Sequence, residues 1–109
     1  MVYIGLMSGT SMDGIDAALV RFDGPGVELL ATHSHPYPDT LRHALRKAVM
    51  TPPDKPIADL GSLDRQVGER FRDAAIELLR LAGVDAAEVR AIGSHGQTVR
   101  HQPDGPRPY

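Results

Sequence analysis

An α/β fold is what this chain of 109 residues predicts, on three observations. Three short apolar runs joined by Gly-rich turns come first, two amphipathic helical stretches follow, and another short apolar run returns near the end. Strands, then helices, then a strand suit helices packed on a mixed sheet. With 41% hydrophobic and 24% charged residues, the composition is that of an ordinary globular domain, and the length suits one domain.

Val2 to Met7 is the first run, and it ends in Ser8-Gly9-Thr10-Ser11-Met12-Asp13-Gly14, a cluster of turn formers. Ile15 to Phe22 is the second. Asp23-Gly24-Pro25-Gly26 is a strong turn signal between it and the third, Val27 to Tyr37, whose alternation is imperfect. The three predict an antiparallel meander. The period then changes: Leu41, Leu45 and Val49, with Ala44 and Ala48 beside them, recur at helical spacing after Pro38-Asp39, and Pro52-Pro53 ends that helix. A second helix is expected from Pro56, with Leu60, Leu63, Val67, Phe71, Ala74, Ala75, Leu78 and Leu79 as its apolar stripe and Gly83 as its stop.

Ala91 to His95 predicts a short buried return strand, continued after a bend by Gly96 to His101. Pro103 to Tyr109 holds three prolines in seven residues and suits no central strand. A polypeptide that continues beyond this Pro-rich tail in the complete protein is the expectation.

Composition removes several functions. Lys plus Arg number 12 against 14 Asp plus Glu, which leaves no basic field for nucleic acid and no polybasic segment for a membrane. With no cysteine there is no disulfide, thiolate metal site or thiol nucleophile. The apolar N-terminal run has no basic residue before it and is too short for a signal or a span, so a cytoplasmic location is expected.

Chemistry concentrates in Ser8 to Asp16, SGTSMDGID. Glycines permit close approaches that a Cβ would block, and successive N–H groups in such a turn can form an anion-binding concavity. Ser8, Thr10 and Ser11 add hydroxyl donors, while Asp13 and Asp16 add carboxylates suited to Mg2+ or its waters. The stretch is neither a P-loop, since the Lys-Ser/Thr pair is missing, nor a dinucleotide fingerprint. On the residues alone, a polar hairpin turn and a phosphate-binding turn both remain open.

Tyr3 to Gly24, YIGLMSGTSMDGIDAALVRFDG, closely resembles the opening of the anhydro-N-acetylmuramic acid kinases, and Ala91 to Pro103, AIGSHGQTVRHQP, resembles a second signature of that family. The resemblance implies a ribonuclease-H-like, actin-like ATPase fold of the hexokinase and Hsp70 superfamily, with residues 1–109 as part of the N-terminal lobe. It implies a kinase that uses ATP and Mg2+ to open the 1,6-anhydro ring of anhydro-N-acetylmuramic acid with water and phosphorylate O6, in murein recycling. Gly9, Thr10, Ser11, Met12, Asp13, Gly14, Ile15 and Asp16 fall on the family's ATP-phosphate turn, and Gln97 and Thr98 match positions that contact the sugar. The family's catalytic aspartate is expected beyond Tyr109, so none of the aspartates present takes that role and the piece alone is expected to be inactive. A homodimer is also implied, through a surface that need not lie in these residues. The rival expectation is a truncated, non-catalytic module that binds nucleotide or a partner.

Other candidates are weaker. His33 and His35 share one strand face, but no third ligand is set by spacing, and the metal ligands stay unknown. His95 reads either as a hydrogen-bonded core histidine or as a substrate-orienting one. Arg42, Arg46 and Lys47 predict a solvated helix face. Arg100 and His101 read either as surface residues or as partners of a sugar carboxylate.

Overall fold

In a computed structural model the described residues are 1–9, 11–101 and 104. The elements follow the predicted order: β1 (Val2–Ser8), β2 (Gly14–Asp23), β3 (Gly26–Pro36), α1 (Asp39–Val49), α2 (Leu60–Ala82), a 3-10 turn (Ala86–Glu88) and β4 (Val89–Ser94). The sheet order is β3-β2-β1-β4, antiparallel through the meander, with β4 parallel to β1. A three-stranded meander, helices and a parallel return strand are consistent with the start of an actin-like ATPase lobe.

Alternation sets the layers. Val2, Ile4, Leu6 and Ser8 of β1, with Ile15, Ala17 and Leu19 of β2, are buried on one face of the sheet. Leu41, Leu45 and Ala48 of α1 and Leu63, Phe71, Ala74, Ala75 and Leu78 of α2 close over that face. The opposite face is open and carries Tyr3 edge-on to Phe22, with Met7, Val27 and Leu29 exposed. The two-residue loop Gly24-Pro25 joins β2 to β3, and Gly24 has the positive φ (72°) that primed hairpin turns require. The imperfect alternation of the third run has a cause: Leu19 pairs with Ala31 but Val20 with Leu29, so Leu30 is an extra residue, and Leu30 and Ala31 both pack on the core.

Three boundaries differ from expectation. The second helix starts at Leu60 and not at Pro56, because Asp59 is left-handed (φ 54°) and cannot continue an α-helix backward. Its other end agrees with the sequence: Gly83 (φ 67°) donates to the Arg80 carbonyl at 3.3 Å and Val84 to the Leu79 carbonyl at 3.1 Å, the paired bonds of a Schellman stop. β4 begins at Val89 and is mostly exposed, where a buried strand was expected, because α2 lies across β2 and β3 and leaves β4 uncovered. Gly96 to His101 does not continue the strand; the left-handed Gly96 (φ 75°) turns the chain away after His95 donates to the Leu6 carbonyl at 2.9 Å.

The helix orientation makes a testable contrast. Leu78 is 0% and Ile76 58% exposed on the same helix. Leu78→Ala should cost about 2–5 kcal/mol and Ile76→Ala less than about 0.5 kcal/mol, measured by urea unfolding of the chain.

Candidate functional site

Because β1 and β4 are parallel, their carboxyl ends lie side by side and the segments that follow them meet. Ligands of open α/β sheets bind outside such carboxyl ends. Here one segment is Gly9 to Asp13 and the other is His95 to Arg100.

The first segment is a tight turn in which the Met12 N–H donates to the Gly9 carbonyl at 3.1 Å. The left-handed residue in it is Met12 (φ 55°), not a glycine. Such a conformation costs a non-glycine residue about 1–3 kcal/mol, and here the buried Met12 side chain holds it in place from below. Gly14 is needed for a different reason: a Cβ there would lie 2.5 Å from the His35 carbonyl oxygen and 2.9 Å from Pro36 Cα. That close approach lets the Tyr37 N–H reach the Asp13 carbonyl at 3.0 Å, one step past the Gly14–Pro36 pair.

Of the expected phosphate-turn residues, Gly9, Ser11, Asp13, Gly14 and Asp16 border one open hollow of about 380 Å³, together with Ser34 of β3. Thr10 lies outside the described residues. Met12 and Ile15 send their side chains into the core and offer a ligand only main chain. On the solvated face of α1, Arg42 lies 3.8 Å and Arg46 3.5 Å from the Asp13 carboxylate, with Arg42 also bonded to Asp39 at 2.7 Å. Their four-residue spacing puts both on the side of α1 that the Tyr37–Asp13 bond draws up to the turn. Asp16 accepts a hydrogen bond from the Ser34 hydroxyl at 3.0 Å.

The second segment brings Gln97 to the first. Ser8 is the one buried polar residue among those described. Its hydroxyl accepts from Tyr37 Oη at 2.9 Å and donates to Gln97 Oε1. Ser8 is therefore committed inside the protein and is not the free ligand donor that its place in the motif suggests. Gln97 Nε2 donates to the Thr98 carbonyl at 3.0 Å, and the Thr98 side chain is exposed. On its far side Gln97 borders a second hollow of about 270 Å³, lined also by Leu45, Leu63, Phe71 and Val99.

Tyr37 was absent from the predicted site. Its signal was indirect: a tyrosine that enters a core needs a partner for its hydroxyl, and Ser8 is the polar residue on the inward face of β1. Burial pushes the Tyr37 phenol above its ordinary value of 10.0, and the bond to Ser8 opposes that rise.

Other candidates resolve differently. Arg100 donates to the carbonyls of Pro52 at 3.3 Å and Lys55 at 2.9 Å, so its guanidinium pins the loop between the helices. The His95 side chain is exposed, which removes its core reading. His33 and His35 do share a face, with Nε2 of one 3.1 Å from Nδ1 of the other, and no third ligand joins them among the described residues.

Comparison with known proteins adds the lineage. The anhydro-N-acetylmuramic acid kinase family is matched over residues 1–109. The anhydro-N-acetylmuramic acid kinase of Vibrio vulnificus is 50% identical over 108 residues, which are 99% of this chain and 29% of that protein. The kinase of the same name from Shewanella halifaxensis is 54% identical over 102 residues, covering 94% of this chain and 27% of its own length. That of Vibrio cholerae is 46% identical over 108 residues, at 99% and 29% coverage. The chain thus spans less than a third of the curated relatives it matches.

Two outcomes follow from this geometry. Gly14→Ala forces β2 and β3 apart beside the turn and should destabilise the chain by about 1–3 kcal/mol in urea unfolding. The Tyr37 phenol holds its proton more tightly in the folded chain than in the unfolded one, so its contribution is complete below pH 10.0 and is lost as pH rises above that value. Unfolding free energy should therefore fall as pH rises above about 10, and fall less steeply in Tyr37→Phe.

Proposed function

The chain belongs to the anhydro-N-acetylmuramic acid kinase family, and from that premise we propose that it forms part of the N-terminal lobe of an enzyme that uses ATP to open the 1,6-anhydro ring of anhydro-N-acetylmuramic acid and phosphorylate O6. The product is N-acetylmuramic acid 6-phosphate, and the setting is cytoplasmic recycling of peptidoglycan by a homodimer. One observation carries the reading: the Gly9 turn and the Gln97 segment, far apart in sequence, meet at the carboxyl ends of β1 and β4 and are joined through Ser8.

The residues present fit a nucleoside triphosphate. Gly9, Ser11, Asp13 and Gly14 border a hollow open enough for terminal phosphate oxygens. Arg42 and Arg46 beside Asp13 supply positive charge at its margin. Asp16 is the carboxylate better suited to hydrated Mg2+, since Asp13 already has two cationic neighbours. Held there, Mg2+ would supply positive charge that offsets the negative charge of the transferred group.

Gln97 and Thr98 offer the amide and hydroxyl that a sugar's polar groups require. In the overall reaction the oxygen of water bonds to C1, the C1–O6 bond breaks, and O6 takes the γ-phosphoryl group as ADP departs. The water's proton goes to a base. We assign that base to no aspartate of this chain and place it in the remaining part of the complete enzyme. The chain's own contribution is positioning and charge, which is most of what phosphoryl transfer asks of a protein.

The test is mass spectrometry of anhydro-N-acetylmuramic acid incubated with ATP, Mg2+ and protein. A full-length kinase carrying residues 1–109 should give a product heavier by one water and one phosphoryl group, and the 109-residue chain none. Nucleotide binding without transfer by the full-length protein would favour a non-catalytic nucleotide- or partner-binding module instead.

A further inference from the structure

We propose that Tyr37 and Ser8 are positioning residues that lock the side-chain amide of Gln97 in one orientation, so that Gln97 meets the sugar as a hydrogen-bond donor. The proposal rests on the sugar-binding role given to Gln97 above.

The argument is one of hydrogen-bond direction. Tyr37 Oη–H has a single proton, and it points at Ser8 Oγ, 2.9 Å away. With that lone pair engaged, the Ser8 hydroxyl sends its own proton onward to Gln97 Oε1. An amide has a carbonyl end and an NH2 end, and only the carbonyl end accepts. The Ser8 proton therefore forces Oε1 inward and the NH2 group outward. One N–H of that group is taken by the Thr98 carbonyl at 3.0 Å. The other has no partner among the described residues, and it is what Gln97 has to offer.

Bonds aligned head to tail polarise one another, so each proton in the Tyr37–Ser8–Gln97 series strengthens the next. Ser8 is 2% and Tyr37 4% exposed, so water does not compete for either hydroxyl. Reversing the amide would make its NH2 group donate to Ser8 Oγ and would leave one of the two buried hydroxyl protons, that of Ser8 or that of Tyr37, without an acceptor among the described residues. The orientation is thus set from inside the core, by residues that never touch the ligand. An acceptor oxygen on the sugar, a carbonyl or an ether, is the chemical partner this selects.

Gln97 is bonded to the residue that precedes the Gly9 turn and also borders the Leu45–Phe71 hollow. Tyr37 reaches the same point from the end of β3, one residue past the Gly14–Pro36 pair. Three strands' ends therefore converge on one amide.

Steady-state kinetics of the full-length kinase tests this, with Tyr37→Phe, Ser8→Ala and Gln97→Ala singly and Tyr37→Phe combined with Gln97→Ala. Tyr37→Phe and Ser8→Ala should each raise KM for the sugar roughly five- to tenfold, with KM for ATP within about twofold of the parent. The double variant should be no worse than Gln97→Ala alone, because a positioning residue has nothing left to position. Additive losses, or a change confined to ATP, would overturn the proposal.

A second measurement is independent of catalysis: the Gln97 side-chain NH2 resonances of the full-length kinase. Both protons should exchange slowly with water in the parent, and should exchange faster and shift toward the values of a free glutamine in Ser8→Ala and Tyr37→Phe. Unchanged resonances would refute the lock. If Gln97→Ala leaves sugar KM unaltered while the resonances respond as expected, the lock stands and the sugar-binding role of Gln97 is what fails.

Discussion

The parallel pairing of β1 with β4 is the constraint on which the rest depends. It joins residues almost ninety positions apart, Leu6 beside Ser94 and Ser8 beside Gln97. A parallel pair cannot be closed by a tight turn and needs a long crossover. The two helices are that crossover. Having left the sheet at Pro36, the chain can return beside β1 only by crossing a face, and α1 and α2 bury their apolar stripes in doing so. Core formation and assembly of the site are thus one event: the packing of Leu45 and Leu78 against Ile4 and Leu19 also delivers the Gln97 segment to the Gly9 turn.

That economy leaves the sheet one-sided. Ile4, Ile15 and Leu19 are nearly inaccessible on the helix-covered face, while Met7, Phe22, Val27 and Leu29 stay half or more exposed on the other. Ile92 of β4 is exposed as well, because α2 crosses the sheet over β2 and β3. Chains of this family that run to more than three times this length have ample material to cover such a surface.

Much of the fold was legible in the sequence because its signals are local. A short apolar run marks β1, the Asp23 to Gly26 turn marks the hairpin, and the Leu60 to Leu79 stripe with Gly83 marks α2. What escaped was non-local. No periodicity in the third run reveals that Leu30 is a bulge, since a bulge is defined by the partner strand. The left-handed Asp59 that delays α2, and the exposure of β4, depend on how neighbours sit. In the candidate site, the motif did not disclose which of its polar atoms are already engaged inside the protein. Ser8 looks like a ligand donor until its burial is seen, and only the Tyr37–Asp13 bond reveals that the solvated Arg42 and Arg46 stand beside Asp13. Tyr37 and Arg100 act through partners far away in sequence, which residue type alone does not disclose.

The left-handed Met12 has a wider meaning for how the Gly9 turn keeps its shape. A glycine at that position would accept the same backbone without strain, yet it would leave the turn free to take other shapes. Methionine reverses this: the backbone is held against its own preference by a side chain anchored in the core. The stiffness of the turn is therefore the stiffness of the packing beneath it. Heating that loosens the core softens the turn in the same step, so thermal robustness and the shape of the turn are, in this fold, a single property.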